Sequence, residues 1–235
     1  MYCYATTRPD YTRDDAVGDL QKNFDRTYEL YYYLLALAVE LTDLQDRRID
    51  DAKHKFRPTE AELHPDTRFI DNAFVAALRV YEPFAGFCKK HHITWADDPI
   101  FMDIMLRKVT GSDIYSDYMA ADAPTFEADC ELWNVLFRNL LLDDPDLAEQ
   151  VEKLDSRWSV EDLDTMGQFA LKTIRRFQRH DSNPLSQQFK DPQDRDFGVN
   201  LLSRSISELS DNDALIDSLV CAERWEIGRA SCRGR

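Results

Sequence analysis

Three places in this 235-residue chain hold residues whose type and spacing can do chemistry. Asp51 and His54 stand three apart, which puts a carboxylate and an imidazole on one helix face. A helical di-metal site needs two Glu-x-x-His motifs and two further carboxylates. This pair is single, and Asp and His are residues that solvated surfaces carry anyway. His91 and His92 follow Cys88, Lys89 and Lys90. A thiol beside cations is activated when its pKa falls, but the same basic run also suits a helix C-terminus, where it meets the negative end of the dipole. Lys172, Arg175, Arg176 and Arg179 occupy i, i+3, i+4 and i+7 of one helix. Such a face can lie along a phosphate backbone, or it can simply offset the helix dipole. These four are the candidate RNA-contacting residues.

Other chemical signatures are missing from the sequence. There is no G-x-x-x-x-G-K-[ST] and no G-x-G-x-x-G to cradle phosphates, and no H-E-x-x-H. A serine hydrolase elbow needs a strand-turn-helix context, and none is read here. We therefore assign no catalytic residue, no metal ligand and no cofactor, and expect a protein that is not an enzyme.

The elements that would position these groups are helices. Hydrophobic residues make up 43% of the chain, enough for a core, and charged residues 31%, with only 7 glycines. This balance favours helices over sheets. The 29 Lys and Arg against 44 Asp and Glu give a net charge of −15, which excludes a generally basic nucleic-acid coat protein. The longest apolar stretch, Leu30 to Val39, is closed by Glu40 and is too short to span a bilayer. No secretory signal opens the chain. The five cysteines, at 3, 88, 130, 221 and 232, form no C-x-x-C pair, so reduced thiols in a cytoplasmic protein are expected.

Periodicity and caps predict an all-α chain. Asp14 or Asp15 caps a long helix to about Ala52, and Thr59 with Glu62 forms a capping box. Asp71 caps a helix through Phe74, Leu78 and Tyr81, which Pro83 kinks or splits. Asp97 or Asp98 with Pro99 starts a helix that Gly111 ends, and Ser112 caps a short one to Ala121. Pro124 opens a helix to about Leu142, and Asp146–Leu154 is another. Ser159 with Asp162 caps a helix to Arg179. Residues His180 to Gln193 read as a linker. Two last helices, Pro192 to Glu208 and Asp213 to Arg224, are separated by Ser210, Asp211 and Asn212.

The tail Glu226–Arg235 breaks this pattern. It holds three arginines and one acid, and without it the chain has 26 bases and 43 acids, a net −17. Its residues back-translate to a common sequencing adapter read in frame. We expect it to be adapter-derived, with native sequence ending near Trp225; the alternative is a genuine Arg-rich tail that binds nucleic acid.

Several strings, in order along residues 1 to 225, resemble the transcription antitermination family NusB in its long Bacteroidetes form. They are Met1 to Tyr4; Tyr28 to Leu35 with Glu40-Leu41-Thr42; Arg47 to Asp50 with Ala52-Lys53; and Phe69 to Asn72 with Phe74. Trp95, Glu127 to Asp129 and Glu131 to Trp133 follow, then Leu171 to Ile174 with Phe177. Lys190-Asp191, Asp194-Arg195, Phe197 and Trp225 complete the series. The resemblance implies a helical bundle in three parts. Residues 1–56 hold the end of the family's first helix and a long second helix. Residues 57–191 form the helical insertion of the long form. Residues 192–225 hold the third helix and the start of the fourth.

It also implies a fragment truncated at both ends. The family's Arg-rich RNA-contacting segment would precede Met1, so no RNA-contact residue carries over. The helices expected after Trp225 would cover Phe197, Leu201, Leu202, Ile206, Leu215 and Leu219. As for activity, the resemblance implies an adaptor that binds boxA of nascent ribosomal RNA with the ribosomal protein NusE, in a complex that keeps RNA polymerase elongating. A purely structural helical protein–protein interaction module, with no RNA role, is the rival expectation.

Overall fold

The computed structural model describes residues 2–121 and 125–219, and among these it is all helix, with no strand. Twelve α-helices are described. They are α1 (Tyr2–Thr7), α2 (Arg13–Lys53), α3 (Glu60–Leu63), α4 (Ala73–Val80), α5 (Glu82–His91), α6 (Pro99–Thr110), α7 (Asp113–Ala120), α8 (Phe126–Leu136), α9 (Pro145–Leu154), α10 (Val160–Gln178), α11 (Pro192–Ser207) and α12 (Leu209–Leu219). A π-helical turn, Phe137–Leu141, continues α8. None of the described helices is long and apolar enough to cross a membrane.

Local side-chain bonds set most helix starts. Thr12, rather than Asp14 or Asp15, caps α2: its hydroxyl accepts the Asp15 N–H at 3.2 Å while the Asp15 carboxylate accepts the Thr12 N–H at 2.8 Å. Thr59 with Glu62 and Ser159 with Asp162 form reciprocal capping boxes, which satisfy N-terminal donors the helix itself cannot. Asn72, not Asp71, caps α4 through the Val75 N–H. Pro83 lies in the first turn of α5 and splits it from α4, since proline lacks the N–H that a continuous helix would use. Asp98 and Ser112 cap α6 and α7. Thr125 caps α8; Pro124 lies outside the described residues.

The last boundary falls elsewhere than expected. Ser210, Asp211 and Asn212 lie within α12, and the break between α11 and α12 is the single residue Glu208. The expected end at Arg224, Trp225 and the tail Glu226–Arg235 lie outside the described residues.

The described residues form two compact units, 2–26 with 187–219 and Thr27–Ser186. Helix α2 contributes to both.

Within Thr27–Ser186, α2 runs through the core. Leu30, Tyr31, Tyr32, Leu34, Leu35, Ala36, Leu37 and Ala38 are all buried, so this part of the helix is covered on every side, as an apolar run without a polar face requires. Around it pack Phe74 and Leu78 of α4, Met105 and Leu106 of α6, Trp133 of α8 and Ile174 of α10. Gly167 lets α10 approach closely: a Cβ there would lie 2.6 Å from Leu142 Cδ2.

The buried Trp133 indole N–H has no hydrogen-bond partner among the described residues, but two other polar groups of this core are paired. Asp129 of α8 accepts the Ala73 N–H at 2.6 Å and the Tyr118 hydroxyl at 2.7 Å. The Trp95 indole N–H donates to the Tyr33 carbonyl at 2.8 Å.

The segment read as a linker is non-helical from His180 to Asp191, but it is not loose throughout. Leu185 and Ser186 are buried. The Ser186 N–H donates to the Tyr31 hydroxyl at 3.0 Å, its carbonyl accepts the Tyr28 hydroxyl at 2.7 Å, and its Oγ donates to the Phe169 carbonyl at 3.2 Å.

In the other unit, α11 and α12 have no buried hydrophobic residue among those described. Phe189 packs edge-on against Phe24 of α2, with centroids 5.2 Å apart, and the Gln188 amide donates to the Phe24 carbonyl.

Candidate functional site

The capping box at Ser159 and the buried stripe Leu163, Met166, Ala170, Ile174 and Phe177 fix how α10 is seated. Its opposite face then carries Lys172, Arg175 and Arg179, all exposed. Arg176 is drawn away from this face. It is half-buried, and its Nη1 donates to the Leu185 carbonyl at 3.0 Å. Arg179 is the C-cap of α10. The basic face is therefore three exposed cations in the last turns of a helix, where the macrodipole favours them, and a fourth that holds a loop. Among the described residues, Lys172, Arg175 and Arg179 form no ion pair.

The two histidine clusters resolve differently from their sequence spacing. His54 Nδ1 lies 2.8 Å from the Asp50 carbonyl oxygen and 3.6 Å from the Asp50 carboxylate; it belongs with Asp50, not Asp51. His91 Nδ1 lies 2.9 Å from Glu29 Oε1, and its ring stacks on Phe87 at 4.0 Å. His92 is the left-handed C-cap of α5, with φ 54°. Among the described residues, no group of three or more His, Cys, Asp or Glu is placed to hold a metal ion.

Cys88 is not an activated thiol. Burial, reinforced by the Glu40 carboxylate, pushes it up to about 12, the opposite of the shift a nucleophile needs. Burial pushes Cys130 up to about 12 as well, with Asp129 adding to it. At pH 8 their thiolate fraction is on the order of 10⁻⁴. In the native chain at pH 8, iodoacetamide is expected to label exposed Cys3 at least about tenfold faster than Cys88 or Cys130, as read by peptide mass spectrometry; equal labelling of Cys88 would show that its thiol is open.

An open apolar groove lies within the unit 2–26 with 187–219. It is a groove of about 710 Å³ lined by Leu20 of α2, by Gly198, Leu201 and Leu202 of α11, and by Leu215 and Ile216 of α12. Around it Phe197 is 68% exposed, Leu201 55%, Leu215 58% and Leu219 75%. The i, i+3, i+4 spacing of these residues is the signal that marks an apolar helix face in the sequence. Exposed apolar patches of this kind mark interaction sites. The groove offers neither a nucleophile nor a proton-transfer pair: its polar lining is Ser205 and Asn212. What it can do chemically is bury another apolar surface.

No family model, no curated protein and no solved structure matches this chain.

Proposed function

We propose that this chain acts by binding rather than catalysis, in the cytoplasm, as part of a transcription antitermination adaptor that joins boxA of nascent ribosomal RNA to NusE and keeps RNA polymerase elongating. The ordered NusB-like strings support this reading. The observation that carries it is the role of the longest string: Tyr28 to Leu35 with Glu40-Leu41-Thr42 lies in one continuous helix, α2, and most of its residues are buried in the core, which suits the Tyr/Leu-rich second helix of that family. The net charge of −15 means that phosphate contacts must come from local arginines and a basic partner. A second reading, a helical protein–protein interaction module without RNA, is favoured by the apolar groove.

A gel-shift titration separates the two. It uses boxA RNA and a scrambled RNA with the 235-residue chain, each with and without NusE. For the chain with NusE we expect boxA to bind at least about tenfold tighter than scrambled RNA, and for the chain alone weak binding without that preference, because an acidic body repels RNA over a Debye length of about 8 Å. No boxA preference in any arm removes the RNA reading and leaves the interaction module.

A further inference from the structure

We infer that the groove between α11 and α12 is a docking site for a basic amphipathic helix of another protein. The inference rests on the groove and the charge around it, and it belongs with the interaction-module reading, since the NusB resemblance implies that further helices of the same chain cover these residues.

Shape comes first. Three helices line an open, apolar depression of about 710 Å³, room for several leucine-sized side chains. Helix α12 has eleven residues, so at 1.5 Å per residue the walls extend about 16 Å, which suits about three turns of a partner helix. An amphipathic helix laid in such a groove anchors through residues at i, i+3, i+4 and i+7.

Charge then selects the kind of helix. The described residues of this unit hold seven bases and twelve acids, a net −5. Four of the seven bases are already paired inside the unit. Arg13 lies 2.9 Å from Asp14, Lys22 3.6 Å from Asp19, Arg195 3.0 Å from Asp25 and Arg204 3.3 Å from Glu208. Helix α12 has no base at all in its sequence, LSDNDALIDSL. Its exposed Asp211 and Asp213 fall on opposite sides of the stripe made by Asn212, Leu215, Ile216 and Leu219, by the 100° step of a helix. The apolar stripe is thus flanked by exposed carboxylates on both edges. The complementary occupant presents an apolar stripe flanked by Lys or Arg. A second copy of the chain would bring the same acidic edges against these, and an anionic lipid surface would be repelled by them.

The test uses the full chain and a fluorescein-labelled probe: a Leu-stripe helical peptide of about 18 residues flanked by lysines, with a twin in which every lysine is glutamate. By fluorescence anisotropy the lysine peptide should bind saturably, and the glutamate twin at least about tenfold more weakly. Raising NaCl from about 50 to about 500 mM should weaken the lysine peptide and narrow that gap. Leu201→Asp and Leu215→Asp should each weaken the lysine peptide by about tenfold or more. Both side chains are more than half exposed, and far-UV circular dichroism of each variant checks that its helicity is kept. Asp211→Lys with Asp213→Lys should invert the preference between the peptides, and because both residues are exposed this variant serves even if a leucine variant fails to fold. Equal binding of the two peptides, or lysine-peptide binding that survives Leu201→Asp and Leu215→Asp, would overturn the inference. So would sedimentation showing a dimer that Leu215→Asp dissolves, since a second copy would then occupy the groove.

Discussion

Asp129→Ala is expected to lower the unfolding free energy of the Thr27–Ser186 unit by about 2–3 kcal/mol, because the buried Tyr118 hydroxyl and the part-buried Ala73 N–H lose their acceptor at once. The carboxylate is 2% exposed. One oxygen accepts the N–H of Ala73, the first residue of α4, and the other accepts the Tyr118 hydroxyl. The Ala73 N–H is one of the donors that a helix start cannot satisfy internally. Asp129 also sits in the first turn of its own helix, α8, where a negative charge is favoured. Asp129→Asn keeps one carbonyl acceptor, and the Tyr118 hydroxyl has an alternative acceptor in the Arg68 carbonyl at 3.3 Å. The asparagine variant should therefore cost only about 1–2 kcal/mol. Urea unfolding of the pair checks this; equal losses would mean that the site tolerates an unpaired donor.

Trp95→Ala should cost about 3–5 kcal/mol, the range for removing a fully buried large aromatic. The ring is 1% exposed and sits edge-on to Tyr33 at 5.4 Å and tilted against Phe101 at 5.0 Å. Its indole N–H reaches the Tyr33 carbonyl, and its backbone N–H reaches the Glu40 carboxylate at 3.0 Å. Burial raises the Glu40 carboxyl above its ordinary range, against the lowering effect of the Trp95 and Thr94 bonds. Trp95→Phe keeps most of the volume and loses the indole bond, so it should cost about 1–2 kcal/mol. A phenylalanine variant as unstable as the alanine one would show that the hydrogen bond, not the volume, dominates.

What the sequence makes legible is what a few neighbouring residues decide. The capping boxes at Thr59 and Ser159 and the starts at Asp98 and Ser112 depend on bonds spanning three residues, and each is visible in the chain. The stripe of Phe197, Leu201, Leu215 and Leu219 is equally local. The boundary at Ser210-Asp211-Asn212 is misread for a local reason too: serine and aspartate suit a turn, but they suit the first turn of a helix as well, and only the geometry at Glu208 decides between them.

Long-range partners are what the sequence hides. Leu185 and Ser186 sit in a run of linker-like residues, yet Tyr28, Tyr31 and Phe169 bind Ser186 from positions up to 158 residues away. That docking in turn takes Arg176 off the basic face. Cys88 is surrounded in sequence by cations, while in space its thiol is governed by burial and by Glu40. His54 illustrates the same point over one residue: the three-residue spacing suggests Asp51, and the helix gives it Asp50.

Among the described residues, Thr27–Ser186 holds a closed helical core, whereas the apolar face of α11 and α12 is exposed. Native-state hydrogen exchange read by mass spectrometry tests it most directly. Amides of Leu30–Leu41 and Leu163–Phe177 should exchange only through global unfolding, whereas those of Leu209–Leu219, with no buried side chain described, should exchange roughly 10³-fold faster. Equal protection of the two groups would show that the face of α11 and α12 is already covered in solution, and would contradict the account.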